Sequence, residues 1–508
     1  MGNKKIRSAL ISVYDKNGLE PVLEVLHGEG VKLISTGGTA KYINDLGYPV
    51  QKVEDITGYP SILGGRVKTL HPSVFGGILA KRESDHLDTL KEYDIPPIDC
   101  VVVDLYPFKE TVKEGASEDE IIEKIDIGGV SLIRAAAKNF RDVVVVPSKA
   151  HYTHFLNIAK HSDCTTTLDQ RRAFAGKAFA LTSHYDSAIQ KYVRGEEQTD
   201  QLTLAHLEAT SLRYGENPHQ RASFYGDPRE CIRQIHGKPL SYNNLLDIDA
   251  AVFTMAEFAD EPPTVAVFKH NNSCGLATRS NLPEAWKMAL AGDPLSAFGG
   301  VICSNVEMDE KTALEIDKIF YEVLIAPSFS KAALEVLQKR KKRILVQLNK
   351  YPEGQKTIRS TINGFLVQDR DNYQHEAENW IQSTEAKANE REFRDLQFAN
   401  KVVKQLKSNA IALINNKMII GIGAGQTSRV DALKGAIEKA GENNLPLKGA
   451  VMASDAFFPF KDCVEIAHQA GINSVVQPGG SVKDKDSIDF CDKNGMSMYL
   501  TGIRHFKH

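Results

Sequence analysis

The first 150 residues alternate between two hydrophobic periodicities. The run 9–13 (ALISV) is continuously apolar, which is typical of a buried strand. The apolar residues after it have the spacing of one helix face, at Leu19, Val22, Leu23 and Leu26. A strand followed by a single amphipathic helix is the repeating unit of an α/β domain, so the pattern predicts that architecture.

The same alternation continues further along the chain. Strand-like runs recur at 31–35 (VKLIS), 99–108 (DCVVVDLYPF) and 143–147 (VVVVP). A helix is predicted to begin at the capping box formed by Ser117 and Glu120. Strands separated by single helices pair in parallel, so the sequence predicts a doubly wound parallel sheet. Ligands of such a sheet bind beyond the carboxyl ends of its strands.

Three glycine-rich, polar loops follow or separate these predicted elements. STGGTA (35–40) opens a helix, and its backbone amides can bind a phosphate. GGRVKTLHP (64–72) concentrates cations, and DIGGVSLIRAAAKN (126–139) places Asp126 just before a helix. Each loop has an ordinary alternative, namely a tight turn, a solvated charge cluster and an N-cap. Three such loops on one sheet edge favour a site for an anionic small molecule.

A further unusual stretch is TVAVFKHNNSCG (264–275), in which an apolar strand runs directly into Lys269 and His270. Such a pair most often lies on the surface without a catalytic role. An imidazole with a pKa near ~6.5 can nevertheless act as a base, and an ammonium can stabilise an oxyanion. Adjacent strand side chains point to opposite faces, so both residues can serve one site only if the strand ends at Phe268.

Composition limits the class of protein. The chain has 508 residues, of which 42% are hydrophobic and 25% charged, as expected for a globular protein of roughly three domain-sized units. Its net charge of -3 comes from mixed acids and bases, which argues against a nucleic-acid partner. Seven cysteines without C-x-x-C spacing favour a reducing cytoplasm. No apolar run approaches the ~18 residues of a membrane span, so no membrane partner is expected.

Longer motifs extend along nearly the whole chain. In the N-terminal part these are LISVYDKNGL, GGRVKTLHP, DLYPF and IDIGGVSLIRAAAKN. In the remainder they are LRYGENPHQ (212–220), KHNNSCG, GIGAGQTSR (421–429), SDAFFPF (454–460) and the C-terminal TGIRHFKH. Together, and in this order, they resemble the motifs of the bifunctional purine-biosynthesis enzymes that join AICAR transformylase to IMP cyclohydrolase.

The resemblance implies an N-terminal cyclohydrolase domain at 1–197 with a methylglyoxal-synthase-like α/β fold. It implies a transformylase domain at 198–508, built from two cytidine-deaminase-like subdomains, and a homodimer with the transformylase sites at its interface. No internal repeat is visible in the sequence itself. The zinc signature of deaminases, H-x-E followed by P-C-x-x-C, is missing, so no metal site is expected.

Two reactions follow from the resemblance. The cosubstrate 10-formyltetrahydrofolate gives its formyl group to the 5-amino group of AICAR, an aminoimidazole carboxamide ribonucleotide. The product FAICAR then closes to IMP with loss of water. The amine of AICAR is a poor nucleophile because its lone pair is delocalised, so formyl transfer needs a base, and the carbonyl oxygen needs a cation or donor. Folate and these nucleotides are the expected partners, and no metal is expected to be required.

For formyl transfer, the resemblance assigns the base to His270 and oxyanion stabilisation or protonation of the folate nitrogen to Lys269, with the division between the two left open. It assigns contact with the formyl oxygen to Asn409. Glu322 stands where some members have Asp. The implied substrate-binding positions are Arg213, Tyr214, Phe298, Gly299, Glu322, Arg429, Phe457, Asp462, Ser481, Arg504 and Phe506.

For ring closure, the resemblance implies the catalytic set Lys68, Tyr106, Asp126 and Lys138. The implied nucleotide-binding positions are Tyr14, Asp15, Lys16, Thr36, Gly37, Gly38, Thr39, Arg66, Val67, Thr69, Asp104, Leu105 and Ile127. Two of these depart from the family, because Tyr14 replaces a usual Ser and Asp104 a usual Asn. A carboxylate beside an anionic nucleotide is repulsive unless a lysine neutralises it or it turns away.

Parts of the sequence also resemble two other classes of protein. A dinucleotide-dependent oxidoreductase would need G-x-G-x-x-G and a later acid after the first strand, whereas GIGAGQ (421–426) is G-x-G-x-G. A non-catalytic nucleotide-binding regulator is formally compatible with the sequence. A folate-dependent spectrophotometric assay of the purified chain distinguishes all three classes.

Overall fold

The computed structural model describes residues 2–63, 67–195, 201–353, 356–374 and 376–508. The chain divides into two compact units, unit 1 at 1–208 and unit 2 at 209–508. The domain boundary expected at 197/198 lies within 196–200, outside the described residues. Each unit has its own hydrophobic core.

Unit 1 is an α/β layer structure. Its strands are β1 Lys4–Lys5, β2 Ser8–Ser12, β3 Lys32–Ser35, β4 Val50–Lys52, β5 Cys100–Val103, β6 Val144–Val146 and β7 Thr165–Thr166. Its helices are α1 Glu20–Gly28, α2 Gly37–Asp45, α3 Val53–Thr57, α4 Pro72–Leu79, α5 Ser84–Glu92, α6 Phe108–Lys113, α7 Glu118–Ile122, α8 Gly128–Lys138, α9 Tyr152–His161 and α10 Leu168–Arg194.

The main sheet of unit 1 has the order β4-β3-β2-β5-β6, and every pairing is parallel. The predicted doubly wound sheet is therefore confirmed, as is the capping box of Ser117 and Glu120 at the start of α7. The apolar strand residues are almost fully buried because helices cover the sheet. The strand order reverses between β2 and β5, so the crevice beyond their carboxyl ends is the expected ligand site.

Unit 2 contains two larger sheets and two small hairpins. Its strands are β8 Ala209–Ser211, β9 Ser223–Tyr225, β10 Ile232–His236, β11 Thr264–Lys269, β12 Asn272–Thr278, β13 Val301–Ser304, β14 Val323–Ala326, β15 Ile344–Leu348, β16 Lys356–Thr361, β17 Gly364–Asp369, β18 Ile381–Gln382, β19 Ile411–Ile414, β20 Ile419–Gly423, β21 Val451–Ser454, β22 Ser474–Gln477 and β23 Ser497–Leu500. Its helices are α11 Tyr242–Ala256, α12 Leu282–Gly292, α13 Pro294–Ala297, α14 Glu310–Ile316, α15 Lys331–Leu337, α16 Glu390–Lys404, α17 Arg429–Glu442, α18 Asp462–Gln469 and α19 Asp484–Lys493.

The two larger sheets repeat one topology. Their strand orders are β10-β15-β14-β13-β11-β12 and β18-β23-β22-β21-β19-β20. Equivalent pairs also run in the same sense, since the second and third pairings in each order are parallel and the other three antiparallel. The two similar subdomains implied by the resemblance are thus confirmed, although no repeat is visible in the sequence.

The repeats agree in local detail. In each, a two-residue hairpin turn has both residues at positive φ, His270 and Asn271 in the first repeat and Asn416 and Lys417 in the second. Each turn is fixed by an aspartate six residues after the N-cap of the preceding helix. Asp247 accepts a hydrogen bond from the Asn271 amide at 2.7 Å.

The second-repeat aspartate makes the same contact twice. Asp395 accepts hydrogen bonds from the amides of Asn416 and Lys417, both at 2.7 Å. In each repeat a glycine of the second hairpin strand also touches the following helix. A Cβ on Gly275 would lie 2.0 Å from the Ala289 carbonyl oxygen. The duplication therefore preserves how the hairpin is anchored.

The glycine contact leads to a stability prediction. In Gly421→Ala, the new Cβ would lie 2.1 Å from the Ala436 carbonyl oxygen, so β20 and α17 must separate. We expect a loss of about 1–3 kcal/mol in the free energy of unfolding, the range for overpacking a core. Denaturant unfolding followed by circular dichroism measures this.

Gly435→Ala is the matched control, since Gly435 lies in α17 with no atom within 4 Å of its added Cβ. It should leave the unfolding midpoint unchanged or raise it, because alanine favours a helix over glycine. Equal midpoints for Gly421→Ala and the wild type would contradict the close contact of β20 with α17.

Candidate active sites

A cavity of about 720 Å³ lies in unit 1 at the carboxyl ends of β2 and β5. Loops after β2, β3 and β5 and the start of α8 supply its walls, as the strand order predicts. Most of the expected ring-closure residues line it. They are Tyr14, Lys16, Thr36, Gly37, Gly38, Thr39, Lys68, Thr69, Asp104, Tyr106, Asp126 and Ile127.

Other expected residues of this set lie elsewhere. Asp15 pairs with Lys149, and this ion pair holds the pKa of the Asp15 carboxyl below its usual value. Lys138 is exposed at the last residue of α8, roughly 15 Å along the helix from the cavity end. Val67 forms an isolated antiparallel β-bridge with Ile62. Leu105 packs against the hydrophobic core. Arg66 lies outside the described residues.

One corner of the cavity is suited to an anion. Lys68 Nζ lies against Gly37 at the first turn of α2, where an added Cβ would be 3.2 Å from the ammonium. Gly37 has a φ of 52°, a conformation that favours glycine. The first amides of α2, which lack an intrahelical partner, and the Lys68 ammonium lie at the same corner. This combination of N–H donors and positive charge suits an anion.

Asp126 caps a helix, as the ordinary interpretation of its position predicts, and also lies where a catalytic base is expected. Its Oδ1 accepts a hydrogen bond from the Gly129 amide at 2.6 Å, which is the capping contact. Its Oδ2 faces the Tyr106 amide at 3.4 Å. Burial, together with the nearby Asp104 carboxylate, raises the pKa of Asp126 above its usual value. A carboxylate with a raised pKa is a better proton acceptor during a reaction.

Asp104, the departure from the family pattern, is turned toward the backbone. Its carboxylate accepts hydrogen bonds from the amides of Tyr14 and Asp15. Burial raises the pKa of this carboxyl. Asp104 still lines the cavity, where the Lys16 ammonium partly offsets the charge of its carboxylate.

Sequence reasoning missed Lys124, which also lines the cavity. Its Nζ lies 5.2 Å from the ring centroid of Tyr14 and 5.9 Å from that of Tyr106. The two rings meet edge to face with centroids 5.4 Å apart. The only signal in the sequence was that Lys124 stands two residues before Asp126, which does not indicate where its side chain points.

In unit 2, Lys269 and His270 lie at the tip of the β11–β12 hairpin. The sequence predicted that both residues can serve one site only if the strand ends at Phe268, whereas the strand includes Lys269. That prediction is wrong in the residue at which the strand must end. The positive φ of His270, 51°, already breaks the strand alternation between the two side chains. A change of pairing register also falls between Val267 and Phe268. Both side chains can therefore serve one site.

Lys269 is held by the segment that precedes β13. Its Nζ donates a hydrogen bond to the Phe298 carbonyl oxygen. A Cβ on Gly299 would lie 3.5 Å from the same nitrogen. Phe298 is exposed and packs against Phe320 with ring centroids 5.4 Å apart. Three residues expected in one site, Lys269, Phe298 and Gly299, are thus adjacent.

Glu322 follows Phe320 at the start of β14, but its carboxylate already has a partner. Lys238 Nζ lies 2.6 Å from Glu322 Oε2, and both side chains are about three-quarters buried. Lys238 has no motif signal in the sequence. A substrate that reaches Glu322 therefore meets an ion pair rather than a free carboxylate.

A second cluster of unit 2 centres on Asn409. Its Nδ2 donates to the carbonyl oxygens of Gln426 and Thr427 at 3.1 and 3.2 Å, and its Oδ1 accepts from Arg429 at 3.0 Å. These contacts fix the orientation of the amide and occupy both of its N–H donors. The expected contact with a formyl oxygen requires one of these hydrogen bonds to be exchanged.

Asp455, which the motif reasoning did not single out, lies beneath this cluster. Its buried carboxylate accepts hydrogen bonds from Arg429 at 2.7 Å and from the Ser408 hydroxyl at 2.5 Å. The Lys507 amide donates to the Ser408 hydroxyl at 3.1 Å, and the Ser408 amide to the Lys507 carbonyl oxygen at 2.9 Å. The C-terminal segment is therefore tied to the Asn409 cluster.

That segment carries further expected residues. The Arg504 guanidinium lies 4.6 Å from the Phe506 ring centroid, and the buried His505 pairs with Asp371. The Phe457 carbonyl oxygen accepts from Arg429 at 3.3 Å. The other two expected residues of this half lie farther along the fold, Asp462 as the first residue of α18 and Ser481 in the loop before α19.

One isolated bridge links the hairpin of Lys269 and His270 to the hairpin β19–β20. It joins Ala277 of β12 to Met418 in antiparallel sense, next to the start of β20. No hydrogen bond or ion pair among the described residues joins the hairpin tip directly to the Asn409 cluster.

Arg213 and Tyr214 lie on an exposed arm formed by β8, β9 and the turn between them. The Arg213 side chain donates to the Tyr214 hydroxyl at 2.8 Å. The arm touches α11 where Asn243 donates to the Glu216 carbonyl oxygen at 3.1 Å. Within the described residues, no hydrogen bond links Arg213 or Tyr214 to Lys269 or His270.

The described ranges lack metal-ligand clusters and membrane-spanning helices. They contain no group of three or more His, Cys, Asp or Glu residues that could hold a metal ion. None of the helices in those ranges is long and apolar enough to cross a membrane.

Comparison with known proteins gave two family matches. The model of the AICARFT/IMPCHase bienzyme matches residues 136–439, and that of the MGS-like domain matches residues 18–131. The Bifunctional purine biosynthesis protein PurH of Bacteroides thetaiotaomicron is 53% identical over 508 residues, covering 100% of this chain and 99% of the relative. Proteins of the same name from Acetivibrio thermocellus and Halalkalibacterium halodurans are 49% and 46% identical, each over 99% of this chain and 100% of the relative.

Proposed function

The chain belongs to the AICARFT/IMPCHase bienzyme family, and we propose that the family's two reactions take place at the two sites described above. The protein is a bifunctional enzyme of the last two steps of purine biosynthesis, a formyltransferase and a cyclohydrolase. Ring closure is assigned to the cavity of unit 1. Formyl transfer is assigned to the hairpin tip and Asn409 cluster of unit 2.

The ring-closure assignment rests on the cavity that gathers Lys68, Tyr106 and Asp126. As the carboxamide nitrogen of FAICAR bonds to the formyl carbon, Asp126 accepts the proton that this nitrogen loses. Tyr106 protonates the former formyl oxygen, and the Asp126 proton completes the departing water. The tyrosinate then takes the proton of the formylamino nitrogen as the C=N bond forms. Two protons leave nitrogen and two reach oxygen, so both side chains recover their starting states.

Other groups of the cavity hold the nucleotide. Lys68 and the first amides of α2 are suited to the phosphate, because both present positive charge or N–H donors to one corner. Lys138 stays a predicted catalytic residue whose position at the far end of α8 does not support contact with the substrate.

The formyl-transfer assignment rests on the hairpin tip. His270 would accept the proton of the AICAR amine as it attacks the formyl carbon of 10-formyltetrahydrofolate. Lys269, next to the Phe298 carbonyl and Gly299, would stabilise the oxyanion or protonate the departing folate nitrogen. Asn409 and Arg429 would contact the substrate from the facing cluster.

A homodimer that completes the transformylase sites is part of the proposal. Arg213 and Tyr214 lie on an exposed arm without a hydrogen bond to the hairpin tip among the described residues. The β16–β17 ribbon is exposed on both faces and carries large apolar side chains, including a fully exposed Ile362. Exposed apolar surface of this kind is typical of a protein interface. A second copy of the chain fits both features.

The proposal includes a cytoplasmic location and small-molecule partners. A cytoplasmic location agrees with seven cysteines that are all free. AICAR, FAICAR, IMP and folate are the proposed small-molecule partners, without nucleic acid or membrane. Independence from metal stays a prediction, for which the support is that both reactions can proceed on protonated and deprotonated side chains.

The first prediction concerns Asp126→Asn. We expect ring closure of supplied FAICAR to fall by about 10²-fold or more, because the variant removes the proton acceptor. Formyl transfer to AICAR should stay near the wild-type rate, since its residues belong to unit 2. Separate spectrophotometric assays of the two reactions on one preparation make this comparison. Equal losses in both activities, with the fold intact by circular dichroism, would contradict the assignment of one reaction to each unit.

A second prediction uses His270→Ala and Lys269→Arg. His270→Ala should lower formyl transfer by about 10²-fold or more while ring closure is unchanged. Lys269→Arg keeps the charge but cannot readily release a proton, so an active variant favours oxyanion stabilisation and an inactive one favours proton transfer or tight geometry. Near-normal formyl transfer by a folded His270→Ala variant would show that His270 has no catalytic role and only lies on the surface.

The third prediction tests whether two subunits share a site. Arg213→Ala and His270→Ala are each expected to lose formyl transfer. After the two variants are unfolded and refolded together, about a quarter of the wild-type activity should return, because half the dimers are hybrids with one intact site of two. Mixed preparations without recovery would show that both residues act within one chain.

A further inference from the structure

Lys124 is a cation of the unit 1 cavity to which neither the family motifs nor the sequence assigned a role. Its ammonium faces the rings of Tyr14 and Tyr106, at 5.2 and 5.9 Å from their centroids. No carboxylate of the described residues forms an ion pair with it. Glu120 of the preceding helix interacts electrostatically with Lys124, which contributes to lowering the pKa of its carboxyl, but its hydrogen bonds are made with Ser117 in the capping box.

The backbone around Lys124 is fixed from α10. The buried Tyr185 donates its hydroxyl proton to the Lys124 carbonyl oxygen at 2.5 Å, and the same hydroxyl accepts from the Asp126 amide at 2.9 Å. One tyrosine therefore sets the positions of both Lys124 and Asp126. The contact fixes the backbone from which the Lys124 side chain extends toward the two rings.

Tyr14 supplies the nearer of the two aromatic faces to the Lys124 ammonium, at 5.2 Å. The ring of Tyr14 also meets that of Tyr106 edge to face, with centroids 5.4 Å apart and an interplanar angle of 83°. Lys124, Tyr14 and Tyr106 are therefore in mutual contact and form one three-residue unit.

We propose that Lys124 is a positioning residue for ring closure, which holds Tyr106 in place together with Tyr14 and stabilises the phenolate left when Tyr106 gives its proton to the departing oxygen. This inference rests on the proposed assignment of ring closure to the cavity. The step adds no new reactant, because the tyrosinate regains its proton from the formylamino nitrogen. An ammonium near a ring stabilises its anionic form more than its neutral form.

The environment of Tyr106 makes such help necessary. Burial, and then the charge of Asp126, raise the pKa of Tyr106 above its usual value, so forming the phenolate is costly. The titratable and charged groups that face the cavity around Tyr106 are Tyr14, Lys16, Lys68, Asp104, Glu123, Lys124, Asp126 and Tyr185. Of the three lysines Lys16, Lys68 and Lys124, only Lys124 lies over the Tyr106 ring.

The test measures kcat, KM and the pH profile of ring closure for Lys124→Met and Lys124→Arg. Lys124→Met should lower kcat by about 10- to 100-fold with a small change in KM, as expected for a lost charge some 6 Å from a developing anion. At high pH Tyr106 loses its proton before the substrate reacts, so the rate of ring closure should fall there. This fall is the alkaline limb of the pH profile. Without the cation the pKa of Tyr106 rises, so the limb moves to higher pH in Lys124→Met. Lys124→Arg keeps the charge and should retain both kcat and the limb.

A double-mutant cycle with Tyr14→Ser tests the three-residue unit. The loss of kcat in the double variant Tyr14→Ser, Lys124→Met should be smaller than the product of the two single losses, because both side chains act on Tyr106 as one unit, whereas a full product would contradict that unit. Lys109→Met, an exposed residue of α6, is the control and should match the wild type. Formyl transfer measured on each preparation reports whether the protein is folded.

Asp126→Asn separates the two proposals. If it stops ring closure while Lys124→Met leaves kcat and the pH limb unchanged, the role of Lys124 is overturned and the cavity assignment stands. If Lys124→Arg is as slow as Lys124→Met and both keep the wild-type limb, the charge is not the cause and the proposal is also overturned. Ring closure that survives Asp126→Asn would overturn both.

Discussion

Aspartate carboxylates that accept backbone amides at the ends of buried strands hold both sites in place. Asp104 binds the loop after β2, and Asp126 binds the first turn of α8 and the Tyr106 amide. Asp247 and Asp395 bind the hairpin turns of unit 2. Amides at these positions have no strand or helix partner, so a carboxylate removes the cost of burying them. The loops that carry the reactive side chains depend on these contacts.

This constraint also affects the electrostatics of the unit 1 cavity. Burial raises the pKa of Asp126 and of Asp104, although backbone amides donate hydrogen bonds to both carboxylates. Both aspartates line the cavity, Asp126 at the first turn of α8 and Asp104 beside the loop after β2. The proposed proton transfer by Asp126 depends on its raised pKa.

The duplication in unit 2 shows that one scaffold need not carry one function. The first-repeat tip presents Lys269 and His270 next to the exposed Phe298. At the equivalent tip of the second repeat, Arg279 donates to the carbonyl oxygens of Asn416 and Lys417 at 2.9 and 3.4 Å and covers the turn. The scaffold and its anchoring aspartate recur, while the Lys-His pair does not.

The sequence alone determined the features that follow from local periodicity and strand ends: the doubly wound sheet, the loops that meet at the cavity and the Lys269–His270 tip. It did so because parallel strands bring their carboxyl-end loops to one edge. Lys124 over two rings, the Lys238–Glu322 pair and Asp455 beneath Arg429 were decided only by the tertiary structure. Each joins residues separated along the chain or oriented by a distant contact, and no local pattern specifies such a meeting.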